Sequence, residues 1–133
     1  MQVFRSGSLE AASADLVGEG EGGRYIPSVS YEADLIQAVR GYLQSLQSLG
    51  ATPPVLAMLT LFGVKGASMA VRQMLHFAPK KIDRDLLVIP DILIEDLDCD
   101  VEQTLRPAFD MVWNACGFQR SFNYNDQGEW GGQ

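Results

Sequence analysis

Two long apolar runs, residues 55–64 and 86–95, constrain the fold more than any other feature of the sequence. The first run follows Pro53-Pro54 and is apolar at nearly every position, so its periodicity does not distinguish a strand from a helix. Its length and its Pro and Gly boundaries favour a buried strand. The alternative is a helix that Thr52 caps and that has Pro53 at its first position.

The second apolar run predicts another strand because β-branched residues are frequent in it. Pro90 interrupts this strand, since a proline has no N–H for a ladder hydrogen bond. We expect a bulge, an edge position or a break into two short strands at this proline. The two runs are expected to pair through a connection at about residues 71–85.

A helix is predicted before the first run. Apolar residues recur at spacings of three and four over residues 32–49, which is typical of an amphipathic helix that covers a core. Ser30 is the candidate cap at its start, and Gly50 is the expected stop at its end.

A second helix is predicted over residues 101–116. Asp100 and Gln103 have the spacing of a capping box, which satisfies free N–H groups at a helix start. Pro107 is expected either to kink this helix or to begin another one, and Gly117 is expected to end it.

These elements predict an α+β or α/β fold, with a small, mostly antiparallel or mixed sheet packed against two or three helices. Glycines and acids are frequent before residue 30, and the last residues are mostly Gly and polar. We therefore expect a flexible segment over residues 1–30, a single globular domain over 31–126 and a flexible tail over 127–133.

The composition indicates a globular protein of acidic charge. The formal net charge is −7, so the chain as a whole repels phosphate backbones, and this argues against a nucleic-acid partner. Cys99 and Cys116 are not part of a CxxC pair, and we expect both to be free. The sequence shows no secretory signal and no apolar stretch long enough for a membrane helix, which predicts a cytoplasmic protein without membrane contact.

The motifs that could carry chemistry are incomplete. His76 is the single histidine, and no Ser or Cys in an elbow-like turn accompanies it. Asp96, Asp98 and Asp100 begin like a calcium loop, but the glycine and glutamate that the loop requires are missing. The GxxG at residues 63–66 resembles the loop of nucleic-acid-binding KH domains, and a bend between strands is the simpler interpretation.

The most distinctive residues lie near the C-terminus. Asp110 and Asn114 are one helical turn apart, so they could tie the following loop to the helix. Trp113, Tyr124 and Trp130 carry polar groups that need partners when buried. This group is interpreted as structural, and an aromatic binding surface for a peptide, a nucleotide base or a second copy of the chain is the alternative.

Several short motifs also occur in a recognisable order. They are Pro53-Pro54, Gly63-Val64-Lys65-Gly66, Ile82-Asp83-Arg84-Asp85, Leu87 to Ile94-Glu95-Asp96, Leu105-Arg106-Pro107, Trp113-Asn114 and Asn123-Tyr124. Over about residues 30–130 the chain resembles the C-terminal region of bacterial proteins that carry an N-terminal Schlafen-type AlbA-like domain. Those proteins are usually labelled ATP-binding proteins or transcriptional regulators. Their nucleotide- and nucleic-acid-binding residues belong to the AlbA-like domain, which is absent here, so the resemblance implies an accessory domain and leaves open whether a longer protein contains it.

The leading prediction is a non-catalytic accessory or oligomerisation domain, with a second copy or a longer parent chain as partner. Its interface would use apolar positions that the two helices leave uncovered, together with Trp113, Tyr124 and Trp130. The first alternative is a small-molecule sensor, with Asp83, Arg84, Asp110 and Asn114 as ligand candidates. A nucleic-acid module that uses Lys65, Lys80 and Lys81 is the next, and an enzyme is the weakest. No cofactor or metal is expected.

Overall fold

The computed structural model describes residues 1–71 and 80–132, and within them the chain has an α+β fold. Its helices are α1 (Ser28–Ser48) and α2 (Val101–Ala115). Its strands are β1 (Gln2–Val3), β2 (Leu9–Glu10), β3 (Gly18–Gly20), β4 (Gly23–Pro27), β5 (Val55–Ala57), β6 (Thr60–Phe62), β7 (Ser68–Ala70), β8 (Leu86–Val88) and β9 (Ile92–Ile94). His76 and part of the predicted connection over residues 71–85 lie outside the described residues.

The two apolar runs pair as predicted, and each forms two short strands. β5 pairs with β9 and β6 pairs with β8, both antiparallel, so the four strands form one two-stranded ribbon over residues 55–62 and 86–94. This pairing also rejects the alternative of a helix over the first run. The break in the second run falls at Pro90, where the sequence predicts it.

The ribbon contains a bulge at its middle. Ala57 pairs with Ile92, and Thr60 pairs with Val88. Two residues therefore separate the halves on one strand, whereas three residues, 89–91, separate them on the other. An extra residue on one strand of an antiparallel pair is a β-bulge, and Pro90 is one of the three residues there.

The N-terminal residues add a second small sheet. β3 and β4 form a hairpin, and β4 continues in parallel with β7, so this sheet is mixed. Ile26 in β4 is fully buried in the core. The flexible segment expected over residues 1–30 therefore includes a strand that belongs to the folded domain, because an apolar side chain in β4 has a place in the core.

Helix α1 begins earlier than the sequence predicts. It starts at Ser28 with Pro27 as its N-cap, and no side chain caps it. Ser30, the predicted cap, lies inside the helix, so that prediction is wrong. A proline suits a helix start because its fixed φ and missing N–H cost nothing there. Gly50 follows the helix with a φ of 78°, the left-handed conformation that a glycine stop provides.

Helix α2 begins as predicted. The Asp100 carboxylate accepts a hydrogen bond from the backbone N–H of Gln103, at 3.2 Å. Pro107 lies inside this one continuous helix and does not begin another. Gly117, with a φ of 87°, follows its end.

The core lies between the two helices and the inner face of the ribbon. The ribbon contributes Leu61, Ile89 and Ile94, each about as buried as the centre of α2. Helix α2 packs against both α1 and β9. Its fully buried residues are Phe109, Val112 and Trp113.

Replacement of the α2 cap tests the start of this helix. Asp100→Ala removes the acceptor of the Gln103 N–H, so the free energy of unfolding should fall by about 1 kcal/mol in urea denaturation. Asp98→Ala is the matched control, because it removes an exposed carboxylate from the same turn. Equal effects of the two variants would contradict a specific role of the cap.

Candidate functional site

The outer face of the ribbon is apolar and exposed. Each of its six large side chains is between 48% and 76% exposed. They are Leu56, Met58, Phe62, Leu86, Val88 and Leu93. We refer to these six residues as the outer face. Some of them oppose each other in the strand pairing, such as Leu56 with Leu93 and Phe62 with Leu86, so they form one continuous surface.

The bulge explains why both halves of the second strand contribute to this face. Successive side chains of a strand point to opposite faces. Val88 and Leu93 are five residues apart, an odd spacing that would place them on opposite faces of a regular strand. Because of the extra residue at 89–91, Val88 and Leu93 both lie on the outer face. Ile89 and Ile94 both lie in the core for the same reason.

Charged residues are almost absent from the ribbon. Within residues 55–62 and 86–94, Asp91 is the only charged residue. Exposed strands of monomeric proteins are normally protected by charged side chains, which prevent unwanted pairing. An exposed apolar surface without this protection is typical of an interaction site.

A second feature of the structure is a buried carboxylate. Glu32 in α1 has no exposed surface, and its two oxygens accept hydrogen bonds from side chains of distant segments. Oε1 accepts from Trp113 Nε1 at 2.8 Å and from Ser121 Oγ at 2.7 Å, with the Tyr31 hydroxyl at 3.4 Å. Oε2 accepts from Asn123 Nδ2 at 3.0 Å and from Trp130 Nε1 at 2.7 Å. Glu32 therefore connects α1, α2 and the segment after α2.

This arrangement is structural. All five donors of Glu32 are uncharged, and the carboxylate is fully buried, so a substrate has no route to it. A buried carboxylate is tolerated when hydrogen bonds replace the water it has lost. Asn123 also donates to the backbone oxygen of Ser28 at 3.0 Å, which holds the same loop against the start of α1.

The aromatic residues predicted for an interface are mostly core residues. Trp113 is 1% exposed and Tyr124 is 2% exposed, so neither offers a surface to a partner. The Tyr124 hydroxyl donates to the backbone oxygen of Glu102 at 2.5 Å, and burial, with the charge of Glu32, raises its pKa well above the ordinary value. Trp130 is partly exposed and bonded to Glu32, which docks the expected tail onto the domain.

Asp110 and Asn114 tie the following loop to α2, as their spacing suggests. The Asp110 carboxylate accepts the backbone N–H of Ser121 at 2.8 Å. Asn114 Nδ2 donates to the backbone oxygens of Phe118 at 2.8 Å and Gln119 at 2.9 Å. These bonds engage both side chains in holding the loop.

Asp83 and Arg84 take no part in the hydrogen bonds of Asp110 and Asn114 described above. They are exposed and form an ion pair with each other at 2.9 Å. The Arg84 guanidinium lowers the pKa of the Asp83 carboxyl by hydrogen bonding and by its charge. Neither residue lines the groove of about 210 Å³ that runs between α1 and the loop before α2. Asp110 and Asn114 do not line it either.

The GxxG at residues 63–66 forms a bend. Gly63 and Gly66 both have positive φ, of 66° and 82°. The guanidinium of Arg24 donates to the backbone oxygens of Gly63 and Lys65. This contact fastens the bend to β4, in agreement with the simpler interpretation of the motif.

The acidic turn serves α2. Asp96 accepts the backbone N–H of Asp98, and Asp100 caps the helix. Across residues 1–71 and 80–132, no group of His, Cys, Asp and Glu is arranged to hold a metal ion. Both cysteines are free, and in the same part of the chain no helix is long and apolar enough to cross a membrane.

Apolar positions left uncovered by the two helices were expected from the sequence, but the six residues of the outer face and the Glu32 contacts were not identified there. A signal for Glu32 was present, because it lies one turn before Ile36 on the buried side of α1. The outer face depends on the odd spacing from Val88 to Leu93, which reveals its side only once the bulge is known.

The comparisons with known proteins add no further information on the site. The chain matches no protein-family model, no curated protein and no solved structure.

The role of Glu32 can be tested by an amide replacement. Glu32→Gln presents N–H groups where the carboxylate accepts bonds, so at least one indole or amide donor loses its acceptor. We expect the free energy of unfolding to fall by about 2 kcal/mol or more, with tryptophan fluorescence as the probe. Asp34→Asn, on the exposed side of α1, is the matched control and should be neutral. A neutral Glu32→Gln would contradict the role.

Burial of Cys116 predicts a pH dependence. Burial raises the pKa of its thiol from 9.0 to about 11, because the thiolate is poorly solvated there. The contribution of the protonated Cys116 thiol to the free energy of unfolding is therefore fully present below pH 9, and it is lost as the pH rises through about 11. Cys116→Ala should make the loss of stability between these pH values shallower, as measured by urea denaturation across the range. An unchanged slope would contradict the assignment.

Proposed function

We propose that this chain is a non-catalytic accessory domain that self-associates through the outer face of its ribbon. The observation that carries the proposal is the outer face itself, six large apolar side chains that are each about half or more exposed. Removal of apolar surface from water is favourable. Association with a second protein surface would remove the outer face from water and would therefore be stabilising.

The position of the outer face indicates that it serves binding and not the core of the domain. The inner face of the same strands already supplies Leu61, Ile89 and Ile94 to the core. A two-stranded ribbon is marginally stable unless other elements pack on it. A second copy would cover the side that the helices leave open.

The other candidate functions have less support. The residues predicted for a small-molecule site hold a loop or pair with each other at the surface. The net charge of −7 weighs against a nucleic-acid partner. The resemblance to the C-terminal region of AlbA-like-domain proteins remains a prediction, and an accessory domain of such a regulator would suit a self-associating chain. Free Cys99 and Cys116 suit the reducing cytoplasm.

One substitution tests the proposal directly. Leu56→Lys places a charge within an interface that excludes water, so the dissociation constant of the dimer should rise at least about tenfold. The measurement is the solution mass by light scattering over a range of concentrations. Leu49→Lys is the matched control, since Leu49 is 66% exposed at the end of α1, outside the ribbon, and the charge change is the same.

The two variants also separate the possible outcomes. Dimerisation that Leu56→Lys weakens and Leu49→Lys leaves unchanged supports the proposal. A monomer at all concentrations in the unmodified chain, or equal effects of the two variants, would overturn it. Circular dichroism of each variant checks that the domain remains folded.

A further inference from the structure

Two copies of the ribbon with their strands aligned can meet face to face in two ways, because a two-fold axis that lies in the interface relates them. If the axis runs along the strands, like ends of the two ribbons coincide. If it runs across them, the ends are reversed. We infer that the two outer faces pack with their ends reversed, and this inference rests on the proposed self-association.

The size of the outer face suits a second copy. Its exposed fractions, on side chains of roughly 150–200 Å² each, correspond to an apolar area on the order of 600 Å². This is at the upper limit of about 600 Å² for the largest apolar patch on a typical monomer, and it approaches the roughly 800 Å² that each partner buries in a standard interface. A two-fold pair covers the patch on both copies with the same contacts, so the assembly closes as a dimer.

The ribbon offers its face more readily than its edges. The sequence Pro53-Pro54 precedes β5, and Pro90 lies at the bulge of the other strand. Prolines have no N–H to donate to an added strand, and bulges disturb the edge. The apolar side chains, by contrast, point away from the sheet plane, where packing of another sheet would cover them.

The charges at the two ends of the ribbon decide between the arrangements. At the Leu56 end, β9 is followed directly by the exposed acids Glu95 and Asp96. At the Phe62 end, charges of both signs occur. They are Lys65 after β6 and Asp83, Arg84 and Asp85 before β8, all exposed.

Aligned ends would place Glu95 and Asp96 of one copy next to the same acids of the other. Reversed ends place these acids next to the mixed end, where Asp83 already pairs with Arg84 and Lys65 adds a positive charge. Like charges at short distance destabilise a complex, whereas complementary charges set its orientation. The reversed arrangement is therefore favoured.

Reversal also sets which residues face each other. With an axis across the strands, each strand lies over the same strand of the other chain, running in the opposite direction. Leu56 of one chain therefore lies over the Phe62 position of the other. An axis along the strands exchanges the two strands, so Leu56 lies over the Leu93 position of the other chain. The two arrangements thus predict different contacts for the same residue.

Disulfide trapping distinguishes these contacts. Chains with one accessible cysteine, Leu56→Cys, Phe62→Cys or Leu93→Cys, are made in a Cys99→Ser background, since Cys99 is partly exposed. Cys116 is buried and stays in place. Pairs of chains of different tagged mass are mixed, oxidised and separated by non-reducing electrophoresis.

The expected result is a mixed disulfide between the Leu56→Cys and Phe62→Cys chains, at least about fivefold more abundant than that between Leu56→Cys and Leu93→Cys. The opposite preference, or a dimer by light scattering that traps neither pair, would overturn the reversed arrangement and leave the proposed self-association standing. A chain in the Cys99→Ser background that is monomeric by light scattering would instead overturn the self-association on which the arrangement rests.

Discussion

The parts of this domain are held in one arrangement by the carboxylate of Glu32. Its two oxygens accept from residues of α1, α2 and the segment that follows α2. A carboxylate without water is unfavourable unless its acceptor sites are filled, so the donors must all be in place together. The loop after α2 is consequently held against both helices by side-chain hydrogen bonds. Its backbone is also bonded to Asp110 and Asn114, which lets the donors Ser121 and Asn123 reach the carboxylate.

The sequence predicted the elements better than it predicted their roles. The pairing of the two apolar runs, the break at Pro90, the Asp100 cap and the α+β class are confirmed by the structure. These depend on local chemistry, which residue types reveal. The start of α1 was wrong because a proline, and not a side-chain cap, occupies the position before it. Trp113 was identified as distinctive, but its acceptor is 81 residues away in the chain, and such a distance has no signature in a single sequence.

Which residues the outer face exposes was also beyond what the sequence could predict. Apolar residues on both sides of a short strand predict burial of both sides, and here the helices cover one side only. The one-residue difference between the two strands decides which side each residue takes. Without the bulge, either Val88 or Leu93 would exchange places with its buried neighbour, and the surface would be divided. The position of Pro90 thus affects both the stability of the core and the continuity of the exposed surface.

The order of residues around Glu32 has a consequence for synthesis of the chain. The carboxylate belongs to an early helix, whereas its donors Ser121, Asn123 and Trp130 are made almost a hundred residues later. Helix α1 leaves the ribosome with its acceptor open to water, and it cannot enter a dry core at that stage without a large desolvation cost. The dry packing of Glu32 can therefore be completed only after residue 130 has emerged from the ribosome.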